Sequence, residues 1–304
     1  MNSQQQSDFP ERPITLIVGF PPGGSLDLTA QPLAEALKEY LPQQVVVVHR
    51  PGNSGTIGMA ELLTSPSDGY ILGMGAMGLL TIQPHIRDLP YKTPDDYTPI
   101  LNLVNNPVGL AVRSEAPWHT VEDFVADAQA NPGKIQVADL GMGSALHLAT
   151  EQLNETARID LVPSHLSGSP ECVEALREGR VEAVTNHHAV FMDDVDAGRF
   201  RVLGVFEKSR NPLFPDAQTF SEAGYDIIFD SYACLIGPKG MPANVVTIIH
   251  DACKKALDDP VFAQPMKERG LDLFYQGPEE LEKTLLQDYE ANKKVIKSIG
   301  LKAQ

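Results

Sequence analysis

Ser144, His147 and Glu151 follow one another at helical spacing, with the histidine and the carboxylate at i and i+4. Such a pair can share a metal ion or pass a proton. It lacks the third ligand and the HExxH order of a zinc hydrolase, so no metal is expected. His165, His187 and His188, with Ser164 and Asn186 beside them, offer hydrogen bonds to an acidic group, charged or neutral according to pH. The stronger signal is in the backbone. Residues 14–31 read ITLIVGF-PPGGSLDLTAQ: a buried strand, a Pro-Pro-Gly-Gly turn and a helix. A helix N-terminus carries unpaired N–H groups and partial positive charge, so Phe20, Pro22, Gly23, Gly24 and Ser25 form a cup for an anion without Lys or Arg. Asp27 is expected to orient that turn rather than touch an anion, because two carboxylates repel. Residues 134–150, KIQVADL-GMGS-ALHLAT, repeat the arrangement, with Gly141, Gly143 and Ser144 in the turn and Ser144 placed to cap the helix. Two cups in one chain suggest a small carboxylate clamped between two lobes. Gly75 and Ala76 follow a third strand and are expected at the same mouth.

The elements that would position these groups are legible as an alternation. Apolar runs at 14–18, 45–48, 70–74, 109–112, 135–138, 160–162, 181–184 and 201–205 read as strands covered on both faces. Helical patterns follow most of them, at 27–40, 56–63, 121–130, 144–156, 170–178 and 191–197. This is βαβ organisation with mainly parallel sheets. Residues 242–298 are nearly all helical, with a short strand near 272–275, and read as packing returned to the first lobe. Crossings near 105–107 and 231–237 divide the chain into a discontinuous lobe, 1–104 plus 233–304, and an inserted lobe, 105–232. Such a hinge belongs to closing binding proteins.

Composition narrows the function. The chain has 304 residues, 42% hydrophobic and 21% charged, and suits two domains. A net charge of −16 argues against nucleic acid and anionic membrane surfaces. No apolar run is long enough to span a bilayer. Cys172, Cys234 and Cys253 form no CxxC pair and are expected to be buried. The first ten residues are polar, read as disordered, and lack the apolar core of a signal peptide. No GxSxG elbow, Walker A motif or GxGxxG follows a strand, so no nucleotide cofactor and no enzyme is expected.

The ordered motifs resemble one family. Phe20-Pro21-Pro22-Gly23-Gly24 with Asp27, Arg50-Pro51-Gly52-Asn53-Ser54-Gly55-Thr56-Ile57-Gly58 and Asp68-Gly69-Tyr70 occur in the first lobe. Asn131-Pro132-Gly133-Lys134, Gly141-Met142-Gly143-Ser144 with His147, and Gly179-Arg180-Val181-Glu182-Ala183 follow in the second. Together they resemble the periplasmic solute-binding proteins of tripartite tricarboxylate transporters, the TctC or Bug family. The resemblance implies a two-lobed Venus-flytrap α/β fold. It also implies a periplasmic location with an export signal absent from this chain, and delivery of a small organic carboxylate, a di- or tricarboxylate or an aromatic acid, to membrane permease subunits. A monomer is expected. A sensor subunit for a signalling kinase, or an enzyme using His147 or His165 as a base, are the alternatives. Relatives commonly carry an aromatic, a basic residue and glycines after a Val-Pro. Here Val162-Pro163 leads into Ser164-His165-Leu166-Ser167-Gly168-Ser169, and Asn186-His187-His188 follows. Both segments are expected where the variable end of the ligand sits.

Overall fold

Short runs rich in Val and Ile, such as ITLIV and VVVVH, cannot bury their branched side chains alone and pair into sheets. In the computed structural model, which describes residues 9–229 and 231–301, they build two six-stranded sheets. Residues 1–8, most of the stretch read as disordered, lie outside the described residues. The strands are β1 (Ile14–Val18), β2 (Val45–His49), β3 (Ile71–Ala76), β4 (Tyr97–Asn105), β5 (Val108–Arg113), β6 (Gln136–Asp139), β7 (Val162–His165), β8 (Ala183–His187), β9 (Phe200–Val205), β10 (Gln218–Thr219), β11 (Tyr232–Pro238) and β12 (Leu273–Gln276). The helices are α1 (Ser25–Ala36), α2 (Thr56–Leu63), α3 (Gln83–Ile86), α4 (Val121–Ala130), α5 (Ala145–Ala157), α6 (Ser169–Arg177), α7 (His188–Asp196), α8 (Ala243–Leu257), α9 (Pro260–Glu268) and α10 (Pro278–Ser298).

The first sheet has the order β12-β4-β11-β3-β1-β2 and the second β10-β9-β5-β8-β6-β7. Both are mixed rather than mainly parallel. β11 runs antiparallel to β3 and β4, and β5 antiparallel to β8 and β9. The chain passes from the first sheet to the second between Asn105 and Val108 and returns through β11. Strands β4 and β11 therefore lie side by side, and both were missing from the sequence reading. Pro99 hides β4, since proline interrupts a ladder. It is accommodated where the β4–β11 register shifts, between Leu235 opposite Leu101 and Ile236 opposite Pro99.

Helix starts follow local chemistry. Thr120 accepts from the Asp123 N–H at 3.1 Å and Asp123 accepts in return from the Thr120 N–H, a reciprocal cap that starts α4. Helix α6 begins at Ser169 itself with Gly168 as its cap, one residue earlier than the Ser-Pro pair suggested. That puts the Ser169 side chain inside the helix mouth. After β3 the chain enters a π-helical turn at Gly78–Ile82 rather than a plain loop. Helix α10 returns to cover this turn, where Asn292 Nδ2 donates to Thr81 Oγ1 at 2.9 Å. All three cysteines are buried. Among the described residues no helix is long and apolar enough to cross a membrane.

Candidate functional site

Each glycine turn is held by a buried carboxylate backed by a histidine. In the first, Gly23 has φ +79° and donates its N–H to Asp27 Oδ2 at 2.8 Å. The other oxygen, Oδ1, accepts from Gln31 Nε2 at 3.1 Å and faces His49 Nε2 at 2.8 Å. Burial alone would raise the Asp27 pKa. The hydrogen bonds from Gly23, Gln31 and His49 outweigh it and hold the carboxyl below its usual range. In the second turn Asp139 Oδ1 accepts from the Gly141 N–H at 2.8 Å and pairs with His165 Nδ1 at 2.7 Å. That pairing outweighs desolvation and raises the His165 pKa.

The turns differ at the third helical position. Asp27 reaches back to the N–H of Gly23, whereas His147 Nδ1 accepts from the N–H of Gly143 at 3.1 Å. His147 therefore carries its proton on Nε2, which lies 3.5 Å from Glu151 Oε1, and its ring packs edge-on against His165 at 4.7 Å. Ser144 Oγ accepts from the His147 N–H at 3.1 Å, a side-chain cap that Gly24 cannot supply at α1. The N–H groups of Gly23, Gly141 and Gly143 are thus spent within the turns. The groups left to a ligand are those of the first helical residues, Ser25 and Leu26 of α1 and Ala145 and Leu146 of α5. An α-helix offers none of these four an internal partner.

All four residues line one cavity of about 30 Å³ between the two sheets. Phe20, Leu79 and Leu140 supply its apolar walls; Asn106, Ser169, His187 and Ser231 supply a polar end. Contacts across the gap hold the lobes together: Gln83 Nε2 donates to Met142 O at 3.1 Å and Ser54 Oγ to Leu140 O at 3.3 Å. Gly78 lies against the N-terminus of α5, where an added Cβ would stand 2.7 Å from Ala145 N.

Of the residues singled out from sequence, Phe20, Gly24, Ser25, Ala76, Ser144 and His187 line this cavity. Gly141 lies on an adjoining cleft of about 460 Å³ that shares Phe20 and Leu140. Asp27, Gly143, His147, His165 and Asn186 stand behind the lining as supports; Asn186 Oδ1 accepts from Ser169 Oγ at 3.0 Å and from the His187 N–H at 2.9 Å. Pro22, Gly23 and Ser164 line neither space, and the Cβ side of Gly75 is filled by Cys234 Sγ and Leu80. His188 is buried against Phe214 at 4.8 Å, away from the cavity. Burial pushes the His187 pKa down to about 4 and that of His188 to about 3, so both rings are neutral at neutral pH, not the charged donors that sequence left open. Gly78, in the run after the third strand, and Ser169, at the end of the segment expected at the variable end of the ligand, also line the cavity, whereas sequence reasoning missed Ser54, Asn106 and Ser231 as lining residues. Asn106 and Ser231 carried a signal, their places at the two crossings. Among the described residues no cluster of three or more His, Cys, Asp or Glu could hold a metal ion.

Two mixed α/β sheets, each presenting a glycine turn and a helix N-terminus to a shared cleft, define a two-lobed binding-protein fold. The family model described as "Tripartite tricarboxylate transporter family receptor" matches residues 29–301, and the chain belongs to that TctC family of solute-binding receptors. It is 31% identical to the Cupriavidus necator "UPF0065 protein in gbd 5'region", covering 100% of this chain and 93% of the relative. Protein BugT of Bordetella pertussis is 28% identical, over 97% of this chain and 91% of its own. A solved structure of periplasmic binding protein BugD superposes with a TM-score of 0.92 at 27% identity, covering 97% of this chain and 100% of that one. An R. palustris protein solved with adipate gives 0.92 at 26% identity, with 98% and 100% covered.

Proposed function

We propose that this protein is a periplasmic receptor that closes two lobes over a small organic carboxylate and hands it to a membrane permease. The observation that carries the reading is the convergence of Ser25 and Leu26 with Ala145 and Leu146 on one cavity. Four N–H groups from two helix ends surround a space in which an anion would be held without a formal counter-charge. Closure excludes water and strengthens each of those bonds. The lobes that move are 1–104 with 233–304 and 105–232, joined through the adjacent strands β4 and β11. The adipate held by the R. palustris relative supports a carboxylate ligand, and family membership supports the permease partner. The protein acts as a monomer without catalysing a reaction.

The test removes one N–H, with Ser25→Ala as the control for the hydroxyl that is lost at the same time. Ser25 is the first residue of α1 and Gly24 before it is extended, at φ −76° and ψ 166°. Proline is favoured at that position and lacks the N–H. Ser25→Pro is expected to keep the circular dichroism of the parent and to weaken carboxylate binding, measured by calorimetry, at least about tenfold, as for loss of a charge-assisted hydrogen bond. Unchanged affinity in a folded Ser25→Pro protein would remove the helix-end reading.

A further inference from the structure

The four helical N–H groups account for one end of a ligand. The other end of the cavity has a different character. His187 lines it, and its Nδ1 lies 3.0 Å from the main-chain oxygen of Asn106. A carbonyl only accepts, so Nδ1 carries the proton. Because the buried ring is neutral, Nε2 is a lone-pair acceptor; the carbonyls beside the ring are those of Asn106 and Pro107, and no hydrogen bond to Nε2 is found among the described residues. A carboxylate oxygen placed against it would set two acceptors face to face. Asn106 stands beside it, 1% exposed, with an Oδ1 that likewise has no partner. The Nδ2 of Asn186, which braces Ser169 and His187 from behind, is also without one. Native interiors leave few polar groups unpaired, and a cluster of them at a cavity wall marks a partner that arrives with the ligand.

Resting on the carboxylate reading above, we infer that the ligand is a small hydroxy-monocarboxylate: its carboxylate sits between the α1 and α5 ends and its hydroxyl donates to His187 Nε2. A second carboxylate cannot make that bond. A hydroxyl supplies the missing donor and can accept from an amide such as that of Asn106, and it brings no further charge out of water. An ammonium would donate too, but it would bury a charge and needs three acceptors.

The test is calorimetry of the whole protein against four-carbon acids matched in length: butanoate, 2-, 3- and 4-hydroxybutanoate, 4-aminobutanoate and succinate. At least one hydroxybutanoate is expected to bind ten-fold or more tighter than butanoate and tighter than succinate and 4-aminobutanoate. His187→Phe keeps a ring and removes the acceptor, and it should shrink the hydroxybutanoate-to-butanoate affinity ratio to within about threefold. The wild-type ligand series stands on its own should that variant fail to fold. Succinate or 4-aminobutanoate binding best, or butanoate binding as tightly as its hydroxy forms, overturns the hydroxyl assignment while leaving the carboxylate site standing. Binding by none of the six acids overturns both.

Discussion

The two glycine turns do the same job with opposite local electrostatics. In each, the residue at the third helical position reaches back to a glycine N–H, but the first turn uses the anionic Asp27 and the second the neutral ring of His147. The second compensates with a carboxylate from the preceding strand: Asp139 is fully buried, whereas Asp27 is partly reached by solvent. The first turn is therefore an outer jaw, its carboxylate able to exchange hydrogen bonds with water, and the second an inner jaw whose carboxylate water does not reach, although the His165 paired with it is more exposed than His49. A buried polar group that loses its partner costs far more than an exposed one. The same kind of substitution should consequently cost more in the second turn than in the first.

The glycines give the largest contrast. Gly143 has φ +71°, and an added Cβ would run into the Ile86 side chain of the opposite lobe. Gly143→Val combines left-handed strain with overpacking, together roughly 3 kcal/mol or more, and should abolish closure and ligand binding. Gly23 has a similar φ of +79°, but its nearest neighbour would be Pro170 at 3.5 Å, an ordinary contact. Gly23→Val should cost only about 1–2 kcal/mol, the left-handed strain alone. Equal losses in melting temperature and affinity for the two variants would break the distinction between inner and outer jaw.

Acidity sharpens the same contrast. His187, in the second sheet, has a pKa lowered to about 4. Its folded form resists protonation, so stability is complete above the ordinary value near 6.5 and falls as pH drops from there toward 4, by roughly 3 kcal/mol at the limit. Asp27 has a lowered pKa, so its contribution is intact above the usual carboxylate value and is lost only below it. His165, held protonated by Asp139, runs the other way: its contribution is present below about 6.5 and lost as pH rises through its raised value. Between pH 6 and 4.5 the melting temperature should fall in the wild type and in Asp27→Asn alike, and His187→Phe should lessen the slope by about half, the rest coming from His188, whose pKa burial lowers to about 3. A curve flattened by Asp27→Asn instead would assign the acid response to the wrong jaw.

Removing the carboxylates comes next in size. Asp139→Ala leaves the half-buried Gly141 N–H without its acceptor, while the exposed His165 ring can turn to water, at about 1–2 kcal/mol. Asp27→Ala strips partners from the N–H of an exposed Gly23 and from His49 and Gln31, which retain some solvent contact, and should cost about 1 kcal/mol. Urea midpoints with unchanged slopes would measure both. An Asp27→Ala loss larger than that of Asp139→Ala would contradict the burial argument.

These asymmetries bear on what a chain can reveal before it folds. The turns were legible because Gly23, Gly24, Gly141 and Gly143 sit between a strand pattern and a helix pattern, which local chemistry dictates. The role of Asp27 as an orienting group followed from charge alone. The polar end of the cavity was legible only in part: His187 and the segment ending at Ser169 were expected there, but Asn106 and Ser231 join them only through the crossing of β4 and β11. Pro99 obscured the first of those strands. His147 looked like a candidate metal ligand or base because spacing shows what a side chain can reach, not that a glycine N–H already occupies its Nδ1.

The smallest predicted effect isolates the cap. Ser144 Oγ satisfies the His147 N–H, while at α1 the corresponding cap, Gly24, has no side chain and leaves the Asp27 N–H without such a partner. Ser144→Ala should therefore lower stability by about 1 kcal/mol, the usual value of a side-chain cap. Gly24→Ser should supply the missing oxygen and recover only a few tenths of a kcal/mol, because its new Cβ would meet Pro21 O at 3.3 Å. The Gly24 backbone, at φ −76° and ψ 166°, already suits serine. Guanidinium unfolding of the two variants resolves the comparison. If Gly24→Ser stabilises by as much as Ser144→Ala destabilises, the first turn is as tightly built as the second and the outer jaw is not the looser one.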